Sequence, residues 1–115
     1  VIILGGTGYS LIWPDGEPIK RYDWREGSMV VPPENWWHQH FNTGNEPARY
    51  LALRAFGSKK HRGAGKGYKS SVDRKKGGNQ IEYEDEDRIV RRMFEEALAH
   101  EGLESRMQPH YEKSK

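Results

Sequence analysis

Two histidines two residues apart, His38 and His40, end the stretch Gly27-Ser-Met-Val-Val-Pro-Pro-Glu-Asn-Trp-Trp-His-Gln-His-Phe-Asn42. In an extended strand, residues i and i+2 project to one face. His38 and His40 therefore stand side by side, with Trp36 and Asn42 along the same line. Trp37, Gln39 and Phe41 take the other face. Neutral imidazole is a preferred ligand of iron, zinc, copper and nickel. Two such rings on one face, framed by aromatics, suggest either a metal pocket or a small-molecule pocket.

The elements that would hold this pair read as short strands between turns. Val1–Leu4 stops at Gly5-Gly6, and Gly8–Trp13 closes on Pro14-Asp-Gly16, a turn signal. Pro18–Asp23 follows as the partner of a hairpin. Ser28–Val31 stops at Pro32-Pro33, Trp37–Asn42 turns through Thr43-Gly-Asn45, and Ala48–Phe56 comes last. Strands at such close spacing argue for a sandwich or barrel. From Asp87 the period changes: Ile89, Met93 and Ala97, like Val90, Phe94 and Leu98, recur every four residues, as on one face of an amphipathic helix. Gly102 is its stop signal. Residues 1–56 thus form a β-unit, 57–79 a basic glycine-rich loop, and 80–115 an extended arm with a helix and tail.

The histidine stretch resembles the second motif of the cupin superfamily, G-x5-P-x-G-x2-H-x3-N, at Gly27, Pro33, His38 and Asn42. Asn35 stands where that family has glycine, and asparagine is the non-glycine residue most tolerant of positive φ. The longer string from Trp37 to Leu53 is similar to the C-terminal cupin of dioxygenase-type bicupins, with gentisate 1,2-dioxygenase the familiar example. The resemblance implies an all-β, cupin-type jelly-roll β-barrel, incomplete at the N-terminus, with a C-terminal α-helix. It implies that His38 ligates a divalent metal, with Fe(II) the expected ion in the intact protein. The first cupin motif, which supplies two further histidines and a glutamate, would lie before Val1; only Gly6 matches its close. An open catalytic metal needs about three protein ligands, so this stretch alone would leave the site incomplete.

On that reading the protein is a metal-dependent, dioxygenase-like oxidoreductase acting on a small molecule, aromatic ones included. The alternative is a non-catalytic cupin that binds a small ligand or serves as an oligomerisation module. His40 is the candidate catalytic group, able to relay a proton or bond substrate; otherwise it pairs with a neighbouring group in the strand. Tyr9, Trp13 and Trp36 are candidate substrate walls, against the plainer reading of core packing. Arg49 could take a substrate carboxylate through its guanidinium fork; surface salt bridging is the competing role for Arg49 and Arg54.

Composition narrows the remaining classes. The 115 residues contain no cysteine, which excludes disulfides and thiolate metal sites and leans toward the cytoplasm. No apolar run is long enough to span a bilayer, so no membrane partner is expected. Residues 57–79 carry eight Lys/Arg against Asp73 alone, whereas residues 82–104 carry nine acids. Such blocks are usually solvated segments. With Tyr68 as the one aromatic in the basic block, stacking support for nucleic acid is missing, and no nucleic-acid partner is expected. The missing barrel strands would leave a bare sheet edge, which points to a homo-oligomer.

Overall fold

The computed structural model describes residues 1–53 and 72–113. They fall into two compact units. The first joins Val1–Leu53 to Phe94–Glu104, and the second comprises the described parts of Arg54–Met93 and Ser105–Lys115.

The first unit holds five strands: β1 (Ile2–Gly5), β2 (Gly8–Trp13), β3 (Lys20–Trp24), β4 (Trp37–Asn42) and β5 (Arg49–Leu51). They form two antiparallel sheets, β1-β5 and β3-β2-β4. β2 is the central strand, with Ser10 opposite Tyr22 on one side and His40 on the other. The turn from β2 to β3 is where Pro14, Asp15 and Gly16 signal it. Gly16 takes φ +76°, and Glu17 N–H donates to the Pro14 carbonyl at 3.1 Å. Asn35 takes φ +67° in the turn before β4, the left-handed conformation expected of it.

The segment read as a strand at Ser28–Val31 is reduced to a bridge between Met29 and Ile2. It is nevertheless bonded along β1: Ile3 N–H donates to the Ser28 carbonyl, and Val30 N–H to the Val1 carbonyl. Ile3, Ile12, Trp24 and Val30 form the buried core between the sheets, with Val1, Trp36 and Ala48 packed against it.

Helix α1 (Arg88–His100) follows the four-residue period. Its second half belongs to the first unit, where the Phe94 ring lies 5.1 Å from that of Phe41. The helix ends as its sequence dictates. Gly102 adopts φ +70°, and Leu103 N–H reaches back to the Leu98 carbonyl at 2.8 Å, a Schellman-type close.

In the second unit, Val72–Gln80 forms a tight turn around a 3₁₀ segment at Arg74–Lys76, capped by the Asp73 carboxylate. Lys75 Nζ binds Asp85 at 2.6 Å and Glu84 at 2.9 Å, tying that turn to the second 3₁₀ segment, Tyr83–Asp85. Residues 80–84, the start of the expected extended arm, thus contain only the Gln80 bridge to Asp73 and part of that 3₁₀ segment. A short helix that the sequence did not announce, α2 (Gln108–Lys113), sets Tyr111 edge-on to Tyr83 and under the Arg91 guanidinium. Most of the expected basic loop, with Arg54 and Tyr68, lies outside the described residues.

The all-β jelly-roll barrel is therefore not what the chain forms: the described residues make two helices and two small open sheets, with no closed barrel. The physical reason is in the pairing. β1 bonds to β5, while β2 bonds only to β3 and β4, so the hydrogen-bonded ring never closes. The outer face of the larger sheet is met by helix residues instead of further strands. Among the described residues, no helix is long and apolar enough to cross a membrane.

Candidate functional site

Register decides what surrounds the histidines. Because Ile12 pairs with His38, Ser10 with His40 and Gly8 with Asn42, those six residues share one face of the β3-β2-β4 sheet. Trp24 and Tyr22 join it from β3. This is the face turned toward the Ile3–Ile12–Trp24–Val30 core. His38 and His40 stand 5.5 Å apart between ring centroids, tilted by 56°. His40 is half-buried and also contacts the Tyr50 ring of β5 at 5.7 Å; His38, on the sheet edge, is exposed.

Behind His40 runs a short polar chain. Trp24 Nε1 donates to Ser10 Oγ at 3.0 Å, and Ser10 Oγ lies 2.7 Å from His40 Nδ1. Indole N–H can only donate, so Ser10 spends one lone pair on Trp24 and has its hydroxyl proton left for His40. In the neutral ring this makes Nδ1 the acceptor and places the proton on Nε2. Should Nε2 bind a cation, the roles reverse: Nδ1–H donates into the second lone pair of Ser10, the arrangement that orients metal-bound histidines. Ser10 is fully buried, so the tie is dry on one side.

Burial first, then the neighbouring His38 and the Val1 amino group, push the His40 pKa below its ordinary 6.5. The cause is physical: an imidazolium half out of water, beside other potential cations, is disfavoured. At neutral pH, His40 presents an uncharged imidazole, the form that ligates metals or bonds a small molecule.

Two imidazoles sharing one tetrahedral ion, each nitrogen about 2 Å from it, have ring centroids about 5 Å apart. The spacing of His38 and His40 fits that demand. Among the described residues, no group of three or more His, Cys, Asp or Glu could hold an ion together.

The other candidates are dispersed. Trp36 precedes β4 and packs on the core beside the histidine face. Tyr9 and Trp13 alternate onto the opposite face, where Tyr9 is fully buried, stacked 4.8 Å from Phe41 and covered by the Arg21 guanidinium. Neither reaches the histidines. Arg49 is exposed on β5, on the side away from Tyr50 by strand alternation. Asn42 fixes the following turn: its amide donates to the Glu46 carbonyl at 2.7 Å and accepts from Gly44 N–H at 3.0 Å. Gly44 itself helps line a shallow, open cleft with Gly6, Thr7, Arg25, Glu26, Asn45 and Glu46. That cleft lies at the Gly8–Asn42 end of the sheet, away from His38.

Ser10 and Tyr50 were not legible as site residues. Serine in a strand carries no signal by itself; only the Ser10–His40 register turns it into a partner. No protein-family model, curated protein or solved structure matches the chain.

Proposed function

We propose that the chain works as part of a metal-dependent, dioxygenase-like oxidoreductase acting on a small molecule, with His38 and His40 as two of the metal's ligands. One observation carries the ligand assignment: the two rings share a face at 5.5 Å, with the Nδ1 of His40 held by Ser10 so that Nε2 is the nitrogen left to bind. The reaction class rests on the motif at Gly27, Pro33, His38 and Asn42. When bound, a divalent ion such as Fe(II) would supply the redox and Lewis-acid chemistry.

The remaining work belongs to the chain. Trp24 holds Ser10, Ser10 holds the His40 ring plane, and the lowered pKa keeps that ring uncharged. Trp36 and Tyr50 border the site and present aromatic surface to a flat substrate. At least one more ligand must come from outside the described residues.

Metal analysis tests the reading. Protein titrated with Fe(II) or Co(II) under nitrogen should take up the ion, and His38→Ala or His40→Ala should weaken uptake at least ~10-fold. With Co(II), visible absorption reports nitrogen ligation directly. Uptake unaffected by either substitution overturns it. A second reading has one observation in its favour: His40 already has a hydrogen-bond partner and only one ring neighbour of its own kind. On that reading the face is a metal-free binding site for a small ligand, and ligand binding that persists in chelator-treated protein would select it.

A further inference from the structure

The outer face of the β1-β5 sheet carries an apolar patch that nothing in the first unit covers. Ile3 and Val30 point inward to the core, so alternation sends Ile2, Met29 and Val31 outward, and Leu4, in the bulge that precedes Gly5, is exposed beside them. Met29 bridges Ile2, and Ile2 pairs with Leu51, which sets Met29, Ile2 and Leu51 in one row across three neighbouring segments. Leu4 is 56% exposed, Met29 67%, Val31 72% and Leu51 47%. Exposed at those fractions, the four side chains offer water on the order of 400 Å² of apolar surface, as large as the biggest patches typical of monomers. Arg49 stands at the rim.

We propose that this face is where a second copy of the chain docks, sheet against sheet about a two-fold axis. Three points favour a second copy over other occupants. The patch has no charge at its centre, so nothing on it would select an acidic or basic partner. The segment between Leu53 and Val72 offers only Ala55, Phe56, Ala64 and Tyr68 as apolar side chains among its lysines and glycines, too few to supply a matching counter-surface. Of the other exposed large apolar residues of the first unit, Tyr22 lies on β3 and Tyr50 is turned to His40, so the best apolar complement that unit offers is the same face of another molecule. A standard interface covers about 800 Å² per partner; the patch supplies about half of it, and its polar rim the rest. Packed sheets approach to about 10 Å, a spacing that Leu and Met side chains fill. A two-fold contact is closed and stops at two copies. The inference is independent of the metal reading.

Sedimentation of the full chain across a concentration series tests it, without metal. A monomer–dimer equilibrium is expected, and Met29→Lys and Leu51→Lys should each weaken association at least ~30-fold, since each buries an unpaired charge at the centre. Both sites are on the surface, so circular dichroism should be unchanged. The absence of cysteine gives a second measurement that does not depend on a disruptive variant. Met29→Cys should form an oxidised or maleimide-bridged dimer, whereas Lys20→Cys, on the edge of the other sheet, should not. A monomer at high concentration, a dimer indifferent to both lysines, open-ended oligomers, or equal bridging at Lys20→Cys would each overturn the proposal.

Discussion

On one face of the β3-β2-β4 sheet, Tyr9, Leu11 and Phe41 are sealed from water, with Phe94 against Phe41. On the other, Ser10, His38 and His40 share the surface with Trp24 and Tyr50, and one imidazole remains wet. The same backbone thus runs two programmes. The sealed face stabilises through apolar burial and ring stacking, which tolerate no loss of volume. The histidine face forgoes part of that burial to keep nitrogen lone pairs accessible, and stabilises its polar groups by hydrogen bonds instead. Residues alternate between the two programmes along β2: Tyr9 belongs to one, Ser10 to the other.

Substitutions should separate the faces. Phe41→Ala removes a buried ring from contacts with Tyr9 and Phe94. It should cost about 3–5 kcal/mol in urea denaturation and leave the His40 titration where it was. Gly8→Ala strikes the histidine face and the β4 backbone beside it, because an added methyl would fall on the Phe41 carbonyl oxygen and within 2.7 Å of the Trp24 ring. Overpacking of this kind costs roughly 1–3 kcal/mol, read as a lowered melting temperature. Ser10→Ala deletes the group between Trp24 and His40 and leaves an indole N–H buried without its acceptor. A loss of about 1–3 kcal/mol is expected, together with a changed His40 titration, which Phe41→Ala should not produce.

The pH dependence sharpens the contrast further. His40 titrates below 6.5 when folded, so between that value and its folded pKa the unfolded chain binds more protons. Stability contributed by the neutral ring is complete above 6.5 and falls as the pH drops through that window. Denaturation midpoints of the metal-free protein should decline on acidification from pH 7, and His40→Asn should flatten the slope. Since His38 adds to the depression, His38→Ala should raise the His40 pKa, measured by proton NMR. The smallest effect belongs to the second unit. Lys75 is solvent-exposed, and its pairs with Asp85 and Glu84 are screened surface contacts. Its unusually high pKa should fall in salt, and Lys75→Ala should leave the melting temperature nearly unchanged.

Parts of this molecule could be read in advance, and the reasons are local. The β2–β3 turn at Pro14–Gly16 and the positive φ of Asn35 are matters of steric permission within a few residues. The α1 period and its Gly102 close are equally short-range. Boundaries were harder: of the expected strand Ala48–Phe56, whose last three residues lie outside the described residues, β5 covers Arg49–Leu51, because its length depends on how far β1 runs beside it. The short helix α2 was missed because its six residues carry no apolar stripe. It is bordered by a contact of the Arg91 guanidinium with Tyr111, residues twenty positions apart.

Composition, turn chemistry and alternation determined the strands, the helix and the placing of His38 and His40 on one side of β4, since each follows from forces acting within a few residues. Which strands bond to which was decided in three dimensions. That choice left the barrel open, sent Tyr9 and Trp13 away from the imidazoles, and brought Ser10 up behind His40 from thirty residues away. Pairing of distant strands is settled by the shared burial of the whole core, a quantity no short window of sequence contains.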